Sequence, residues 1–475
     1  MAELRSSTGV TFDVGCDVLV AGGGAAGMIA ALRAKLAGAD VLVVERDAVP
    51  SGSTALSAGL IPAAETRFQR EASVADSKRS FADDIMAKAH GEPDPCAVAA
   101  VVEAVGPAIE WLADAHGLPF SVITNFTYPG HSAMRMHGLP SRSGAELIDR
   151  LRAAAEQAGI DIVASAPVTA LFADATKRIT GVEITRPDGS TDRIGCGALV
   201  LATNGYGGNR EMVAECIPEM AGALYFGHPG NQGDAVLWGR ALGADVRHLS
   251  GYQGHGSVAL PHGILITWAT VTEGGFQVNS RGERFANEAR GYSEAASSVI
   301  AQPDNIAWTL FDSRIAEIAR QFEDFRQAEA AGAILSADDV ISLAAAAKLP
   351  AHALAETCGT VDALKAANAV DAFGRDWSGK PALKAPFRAV RVTGALFHTQ
   401  GGLVVDGMAR VVDCTGEPLP NLFAAGGAAC GVSGRSAAGY LSGNGLLTAV
   451  AYGFIAGAEA ARLAGDRAWW SKPNS

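Results

Sequence analysis

Two tyrosines in glycine-rich surroundings are the residues of this chain best suited to chemistry. Tyr292 follows the stretch "GERFANEARG", and Tyr440 begins "YLSGNGL", in which Ser442 and Gly443 add a hydroxyl and a backbone N–H. A phenol can hydrogen-bond a ketone oxygen, and it can act as an acid or base if its surroundings lower its pKa from about 10. Because glycine lets the backbone approach a flat ligand closely, the pattern around Tyr440 predicts a turn that lies against a cofactor.

A second chemical feature is a dinucleotide fingerprint near the N-terminus. Gly22, Gly24 and Gly27 form GxGxxG between an apolar strand and a helical segment within residues 16–47. The first glycine permits a tight turn, the second admits a pyrophosphate, and the third lets the helix pack closely on the strand. The phosphates would then face the N–H groups of the helix N-terminus. Glu45 ends the next strand at the spacing expected for a ribose hydroxyl, so the pattern predicts a bound dinucleotide.

The elements around these residues predict an α/β protein with an insertion. Alternating strand and helix patterns in residues 1–248 and again in 386–475 predict a discontinuous Rossmann-like domain that binds the cofactor. Residues 249–385 combine a hairpin pattern with a long alanine-rich helical stretch, which predicts an inserted α+β capping or catalytic domain.

Composition excludes several classes of function. The 475 residues are 48% hydrophobic and 19% charged, which is enough to bury a large core in two or three domains. The net charge of −12 argues against nucleic acid or an anionic membrane surface as a partner. We therefore expect a small-molecule substrate.

The cysteines and the N-terminal residues indicate the compartment. Seven scattered cysteines without a CxxC pair fit neither a disulfide framework nor a zinc site. The first 15 residues are polar, and no apolar run of 18 residues is evident. We expect a soluble, cytoplasmic protein with no stable membrane insertion and no metal.

Three further motifs accompany the fingerprint in a familiar order. They are "SGSTALSAG" (51–59), "ALVLATNGYGGN" (198–209) and "NQGDAVLWGRALGADV" (231–246). Together they resemble the fumarate reductase/succinate dehydrogenase flavoprotein superfamily, which includes soluble flavocytochrome fumarate reductases and 3-ketosteroid dehydrogenases. The resemblance covers nearly the whole chain and implies FAD as the cofactor. In "NLFAAGGAAC", Gly427 stands where the family has a glutamate, so that role is not carried over.

The resemblance also implies how FAD is held. The stretch "DAVPSGSTALSAG" has no histidine where membrane-bound relatives carry covalent FAD, which implies non-covalent binding. The cofactor contacts implied by the matching motifs are Gly22, Gly24, Ala25, Ala26, Gly27, Glu45, Arg46, Ser53, Thr54, Ala55, Ser57, Gly59, Val168, Ala202, Thr203, Asn204, Gly205, Asn209, Asp234, Gly426, Asn444, Leu446 and Leu447.

The residues at the reacting end depart from the fumarate reductase pattern. Those enzymes hold a dicarboxylate with two histidines and two arginines, because arginine pairs bidentately with carboxylates. His255 and His398 match the histidine positions, whereas Tyr292 and Tyr440 stand where the arginines would be. A neutral phenol cannot neutralise a carboxylate, so the resemblance implies a ketone. Arg290 would serve a carboxylate only under a different local alignment.

The two tyrosine motifs resemble the Δ4-(5α) branch of the 3-ketosteroid dehydrogenases. Abstracting a proton beside a ketone requires hydrogen bonds to the developing enolate oxygen. Our hypothesis is that Tyr292 removes the α-proton with support from the hydroxyl of Tyr440, while Ser442 and the N–H of Gly443 hold the oxygen. The β-hydride then passes to flavin N5. Tyr128 lies roughly where the Δ1 branch has an active-site tyrosine, so we expect it to contact the substrate.

Alternatives remain open from the sequence. The leading prediction is desaturation of a 3-ketosteroid, with an unidentified electron acceptor. The first alternative is a fumarate reductase-like ene-reductase or dehydrogenase acting on a carboxylate or on a smaller cyclic enone or ketone. A further alternative is a non-catalytic flavin protein for electron transfer. Tyr292 could instead be a domain-interface residue, and His398 a core histidine.

One polar cluster has the spacing of metal ligands. His131, Arg135 and His137 occur within "YPGHSAMRMHG", but no third ligand is evident in the sequence. We expect these three residues to serve a loop or an interface.

Overall fold

The computed structural model describes residues 2–124 and 127–465, which form two compact units. Unit 1 comprises Met1–Met212, Gly227–Tyr252 and His398–Ser475, and unit 2 comprises Val213–Phe226 and Gln253–Phe397. The strands are β1 (Glu3–Ser6), β2 (Val14–Ala21), β3 (Val41–Val44), β4 (Ile61–Pro62), β5 (Ser121–Val122), β6 (Met136–Gly138), β7 (Asp161–Val163), β8 (Val168–Ala173), β9 (Ile179–Thr185), β10 (Thr191–Leu201), β11 (Leu224–Tyr225), β12 (Val246–Arg247), β13 (Tyr252–Ala259), β14 (Ile264–Leu265), β15 (Phe276–Val278), β16 (Ala307–Asp312), β17 (Ile334–Ala337), β18 (Phe387–Thr399), β19 (Gly402–Leu403), β20 (Arg410–Val412) and β21 (Pro418–Ala424).

Helices connect these strands in both units. They are α1 (Ala25–Leu36), α2 (Gly52–Ala55), α3 (Arg67–Glu71), α4 (Lys78–Lys88), α5 (Pro95–His116), α6 (Gly144–Gln157), α7 (Arg210–Cys216), α8 (Asp234–Leu242), α9 (Ala269–Thr272), α10 (Tyr292–Ile300), α11 (Ser313–Ala319), α12 (Glu323–Ala330), α13 (Val340–Ala347), α14 (Ala351–Ala367) and α15 (Asn444–Gly465). Short 3₁₀ turns occupy Pro218–Met220, Glu288–Arg290, Pro303–Asn305, Gly426–Ala428 and Ala437–Gly439.

The two units divide the chain at positions that differ somewhat from the predicted domain boundaries. Residues 213–226 belong to unit 2, because β11 pairs with β18 of that unit. The return to unit 1 comes at residue 398 rather than at 386. The reason is that β18 is one continuous strand, whose apolar composition gives no local mark of the boundary.

Unit 1 is built on a nine-stranded sheet. Strands β10, β2, β3 and β7 are parallel neighbours, and β21 also joins β10 in parallel. The inner residues of β2 and β3 are mostly buried, as expected for a parallel sheet covered on both faces. Helix α1 connects β2 to β3, which is the unit that the glycine fingerprint predicts.

Helix α15 packs directly on α1 through glycines. A Cβ atom at Gly453 would lie 2.5 Å from the carbonyl oxygen of Ala26, and one at Gly457 would lie 2.1 Å from that of Ala30. These positions therefore exclude any side chain. The middle of α15 is thereby held against the first turns of α1.

Among the described residues, two helices are long and apolar enough to span a membrane by length and composition alone. They are α5 and α15, and 44% and 61% of their most apolar windows are buried in unit 1. The sequence analysis did not single them out. Buried residues such as Val105 and Leu112 in α5, and Val450 in α15, line the core of this unit. A core helix in an α/β protein needs the same composition as a membrane helix.

Unit 2 has a seven-stranded sheet and a core of its own. Strands β16 and β17 pair antiparallel with β18, and β15 pairs antiparallel with β16. Helices α11 to α14 carry buried residues that pack beside the sheet, including Phe325 and Leu354. The predicted fold class, a Rossmann-like α/β domain with an inserted α+β domain, is confirmed.

Candidate active site

The glycine fingerprint forms a turn that only glycine can make. Gly22 has φ +108°, and a Cβ atom there would lie 2.4 Å from the carbonyl oxygen of Ala202. A Cβ atom at Gly27 would lie 1.9 Å from the oxygen of Gly22. Gly24 is different, because its nearest atom would be 3.5 Å away. It caps α1 without a side-chain hydrogen bond, so this helix N-terminus is open to an anion such as a pyrophosphate.

Glu45, just after β3, accepts a hydrogen bond from the glycine turn. Its buried carboxylate accepts the N–H of Gly23 at 2.6 Å on one oxygen and the N–H of Asp47 at 2.9 Å on the other. Each oxygen keeps a second acceptor position for a ribose hydroxyl. Ala25 donates its N–H to the hydroxyl of Thr54 at 3.0 Å, which joins the "SGSTALSAG" motif to the start of α1.

The remaining predicted cofactor motifs converge in unit 1. Arg46 lies 3.2 Å from the carboxylate of Asp234, and burial raises the pKa of Asp234. The hydroxyl of Ser53 accepts a hydrogen bond of 2.9 Å from the amide of Asn231. Segments far apart in sequence are therefore brought to one place. Asn209 also reaches this group, since its amide donates to the carbonyl of Gln232 at 3.1 Å.

Two buried polar atoms in this region have no hydrogen-bond partner in the described part of the chain. They are the hydroxyl of Thr203, just after β10, and the Oδ1 of Asn444, at the start of α15. The other end of the Asn444 amide donates to the hydroxyl of Ser433 at 2.9 Å. A buried polar atom without a partner is costly, and a cofactor edge would satisfy both. Together with the glycine turn, these atoms fit FAD.

The other residues predicted to contact the cofactor lie in turns, at the ends of helices and strands, or in the core. Asn204, with φ +62°, accepts the N–H of Gly205 on its own amide oxygen. Leu447 is fully buried in the core, whereas Leu446 is only partly buried. The rest lie at element ends or in packed turns: Ala26 (first turn of α1), Ala55 (end of α2), Ser57 (hydroxyl on the Thr54 carbonyl, 2.7 Å), Gly59 (φ +65°), Val168 (start of β8) and Gly426 (φ +62°).

The Tyr440 turn immediately precedes the N-terminus of α15. Tyr440 is buried, and the backbone N–H groups of Gly445 and Gly443 act on its phenol so as to lower its pKa. Burial nevertheless dominates and raises the pKa of Tyr440 far above its ordinary value, with a small additional rise from Tyr128. The phenol therefore stays protonated at neutral pH and can donate a hydrogen bond.

His398 faces the ring of Tyr440. The ring centroids are 5.4 Å apart and the rings meet edge to face, at 73°. The Nδ1 of His398 lies 2.9 Å from the amide nitrogen of Gln400. Burial lowers the pKa of His398 to about 4. The imidazole is therefore neutral at pH 7, and it brings no positive charge to the turn.

The polar cluster expected to serve a loop lies beneath this turn. The ring of His131 is hydrogen-bonded to the carbonyl of Ser442 at 2.9 Å, and the fully buried Arg135 lies behind His131. His137 bonds the hydroxyl of Thr66 instead, at 2.7 Å. Tyr128 is half-buried in the same segment, and burial raises its pKa. Among residues 2–124 and 127–465, no group of three or more His, Cys, Asp or Glu is placed to hold a metal.

In unit 2, Tyr292 is the first residue of α10. The preceding Gly291 has φ +146°, and a Cβ atom there would lie 2.5 Å from the carboxylate of Glu294. The ring of Tyr292 stacks on His255, with centroids 5.0 Å apart and planes at 21°. His255 stacks on Phe397 in turn, at 5.5 Å and 25°. Tyr292 is thus held by a column of flat rings.

His255 is neutral within this column. Burial lowers its pKa to about 3. Its Nδ1 accepts the N–H of Ser257 at 3.2 Å, so its Nε2 carries the proton. Trp268 meets His255 edge to face at 5.5 Å, and the buried indole N–H has no partner among the described residues.

Three arginines of unit 2 were considered as partners for a carboxylate, and they are either paired with acidic residues or exposed. Arg284 lies 2.7 Å from the carboxylate of Glu288 and 2.5 Å from that of Asp371. Arg375, which sequence analysis did not select, lies 3.0 Å from Glu288. Arg290 is exposed on the 3₁₀ turn. Arg284 and Arg375 are therefore already paired with buried carboxylates.

Comparisons with known proteins identify the family of this chain. The family model described as "FAD binding domain" matches residues 17–446. The protein named "Probable fumarate reductase Ifc3" from Shewanella frigidimarina is 31% identical over 95% of this chain and 75% of its own length. This chain is an FAD-binding flavoprotein of the fumarate reductase superfamily. The flavoprotein is accordingly an FAD-dependent oxidoreductase that acts on CH–CH groups, which confirms the predicted enzyme class.

Solved structures and a further relative extend the likeness of this flavoprotein. A flavocytochrome c3 fumarate reductase in an open conformation superposes with a TM-score of 0.82, at 30% identity, over 96% of this chain and 80% of that chain. The 3-ketosteroid-Δ4-(5α)-dehydrogenase of Rhodococcus jostii RHA1 has a TM-score of 0.76, at 26% identity, over 97% and 99%. The 4-oxocyclohexanecarboxylate 2-dehydrogenase of Sinomonas cyclohexanicum is 26% identical over 94% of this chain and 95% of its own length.

Proposed function

We propose that this flavoprotein interconverts a saturated cyclic ketone and its α,β-unsaturated form, with a single-ring ketone or enone as the leading substrate class. The observation that carries this proposal is the buried, protonated phenol of Tyr440, which faces the neutral ring of His398. Such a phenol donates a hydrogen bond to a carbonyl oxygen, but it cannot neutralise a carboxylate. The likeness to a dehydrogenase named for a cyclohexanone acid supports a substrate of this size.

The roles of the chain's own groups follow from what the reaction requires. Tyr440, with Ser442, polarises the ketone oxygen so that the adjacent C–H becomes acidic. Tyr292 takes or returns the α-proton. The N–H of Gly443 acts on the phenol of Tyr440, so we assign Gly443 to supporting that phenol, whereas the sequence suggested a direct contact with the ketone. When bound, FAD supplies the acceptor or donor of the hydride. Neutral His398 lines the turn without adding charge.

A dicarboxylate substrate is disfavoured by the charges in each unit. Both predicted histidines are neutral at pH 7, since burial lowers the pKa of His255 to about 3 and of His398 to about 4, and a phenol cannot carry a positive charge. Binding a dicarboxylate without cations would leave two charges unpaired as the ligand loses water. Arg284 is already paired with buried carboxylates.

Anaerobic flavin spectroscopy tests this proposal. We expect a saturated cyclohexanone to bleach the oxidised flavin, and 2-cyclohexenone to reoxidise the photoreduced flavin, whereas fumarate leaves the reduced flavin unchanged. Running 4-oxocyclohexanecarboxylate beside 4-methylcyclohexanone separates the need for a carboxylate from the need for a ketone. Reoxidation by fumarate that is faster than by the enone would overturn the assignment.

A 3-ketosteroid is the second candidate, favoured by a specific likeness. The "GYLSG" stretch at Tyr440 has the Tyr-x-Ser-Gly pattern, and the Rhodococcus enzyme named for 3-ketosteroids matches over 99% of its length. Bleaching by a 5α-3-ketosteroid at a concentration far below that needed for cyclohexanone would support the steroid over the single ring. No bleaching by the steroid at its solubility limit would exclude it.

We also propose that FAD is bound non-covalently. Residues 47–59 contain no histidine, cysteine or tyrosine to form the bond. His228 does lie beside this stretch, but its Nε2 is 2.9 Å from Asp47 and its Nδ1 accepts the N–H of Gly230. Acid precipitation should therefore release all of the flavin into the supernatant, and yellow colour kept in the pellet would contradict this.

The proposed location is the cytoplasm, with an electron acceptor still to be identified. Fractionation of cells, followed by assay of each fraction with an artificial acceptor, tests the location. Activity that sediments with membranes would contradict it.

A further inference from the structure

A buried chain of hydrogen bonds leads from two aspartates to the Tyr440 turn. The guanidinium of Arg135 is fully buried and lies 2.9 Å from Asp76, with a second contact to the same carboxylate at 3.1 Å. It also forms an ion pair with Asp84 at 2.5 Å. Arg135 is therefore fixed in position by two opposite charges, as a buried cation must be.

His131 connects this arginine to the turn. Its Nε2 lies 2.9 Å from the carbonyl oxygen of Ser442, and because a carbonyl only accepts, Nε2 must carry the proton. Its Nδ1 is then an acceptor, and it faces the guanidinium of Arg135 at 3.4 Å. Burial lowers the pKa of His131 to about 4, so the ring is neutral and one tautomer is selected.

The Ser442–Gly443 peptide passes this contact on to Tyr440. A trans peptide is planar, and its C=O and N–H point in opposite directions. Its carbonyl accepts from His131, and its N–H, on Gly443, is one of the backbone groups that act on the phenol of Tyr440 to lower its pKa. A hydrogen bond accepted at one end of a peptide polarises it and strengthens the donor at the other end.

We propose that His131 is a positioning residue for Tyr440: it fixes and polarises the Ser442–Gly443 peptide so that the phenol becomes a stronger hydrogen-bond donor toward a ligand carbonyl. We call the chain Arg135, His131, Ser442, Gly443 and Tyr440 the His131 relay. What Tyr440 does to a substrate rests on the proposed function, but the effect of the relay on the phenol does not.

The ionisable groups around the relay leave it unchanged near neutral pH. His131 is faced by Arg135, Asp76 and Asp84, and Tyr440 by Tyr128 and His398. Burial keeps the pKa of both histidines at about 4. The relay therefore holds one protonation state from about pH 6 to pH 8, and its removal should slow the reaction equally across that range.

The test uses the holoenzyme with ¹³Cζ-tyrosine labelling. Seven tyrosines give seven signals, and the one missing in Tyr440→Phe belongs to Tyr440. His131→Leu removes the ring donor, whereas His131→Gln keeps an N–H donor at a similar reach. We expect His131→Leu to move the Tyr440 signal and to slow flavin reduction by cyclohexanone about tenfold, with KM little changed, and His131→Gln to restore most of both.

His137→Leu is the matched control, because His137 is a buried histidine that bonds Thr66 and the Arg135 carbonyl but does not touch Ser442. It should lower the melting temperature without moving the Tyr440 signal. An unmoved Tyr440 signal in folded His131→Leu overturns the relay. A moved signal with an unchanged rate of flavin reduction overturns its role in positioning. If none of the ketones reduces the flavin of the wild type, the proposed function is wrong. The labelled spectra would still test the His131 relay in that case.

Discussion

The two tyrosines predicted to act on the substrate, Tyr440 and Tyr292, are held by different physical means. Tyr440, in unit 1, lies in a turn whose backbone N–H groups act on its phenol, with a buried polar chain behind the turn. Tyr292, in unit 2, is held by its ring, which stacks on His255 and through it on Phe397. Hydrogen bonds at the oxygen set how strongly a phenol donates, whereas stacking sets only where the ring points. The first arrangement suits a group that polarises a carbonyl, and the second suits a proton acceptor that must be aimed.

Removing the Tyr292 hydroxyl should have the largest effect. Tyr292→Phe keeps the ring column intact but removes the group that takes the α-proton, so we expect flavin reduction by a cyclic ketone to fall about 10³-fold. Stopped-flow absorbance under anaerobic conditions measures this rate. A variant that keeps most of the wild-type rate would show that Tyr292 is not the base.

Tyr440→Phe should have the next largest effect. Loss of one donor at the ketone oxygen costs about 10²-fold in flavin reduction, because the developing negative charge is less well stabilised. Here the affinity for a phenol ligand that mimics the enolate should fall as well, whereas Tyr292→Phe should leave that affinity nearly unchanged. Equal losses of ligand affinity in the two variants would erase the distinction between the two tyrosines.

The neutral histidines predict a pH dependence of stability. His255 has a folded pKa of about 3, below its unfolded value of about 6.5, so the unfolded chain binds more protons in between. The stability from this group is present above pH 6.5 and is lost as pH falls toward 3, with a loss of about 2 kcal/mol between pH 6.5 and pH 5. Melting temperature measured against pH should fall over that interval.

His255→Phe should flatten this slope, because phenylalanine does not titrate. His398→Phe serves as the equivalent variant in unit 1, where the folded pKa is about 4. An unchanged slope in both variants would mean that neither buried ring resists protonation.

Changing the ring under Tyr292 should have the smallest effect on rate. If His255 acts by stacking, His255→Phe should keep flavin reduction within about threefold, while His255→Ala should lose about tenfold through the gap left under the tyrosine. The same rate in the two variants, well below wild type, would show that the N–H of His255 contacts the substrate, as the resemblance to fumarate reductases first implied.

Local patterns were enough to predict much of unit 1. The glycines at 22, 24 and 27 must leave space for a turn and a phosphate, and the structure confirms the strand, turn and helix around them. The limit of a local pattern is visible at His131. Its partner Ser442 is 311 residues away, and no spacing rule connects a histidine in one loop to a carbonyl in another. The sequence analysis did not select Arg375 as a buried ion-pair residue for the same reason, because its partner Glu288 is 87 residues away.

The amino-acid sequence by itself determined the cofactor class and the α/β fold with its insertion. These depend on residue type and on spacing along the chain, which backbone geometry translates directly into turns, strands and helices. Only the tertiary structure decided that Tyr440 is supported through the peptide behind it, and that His255 is a buried, neutral ring in a column. Burial and long-range hydrogen bonds set the charge of a side chain, and both are properties of the packed fold.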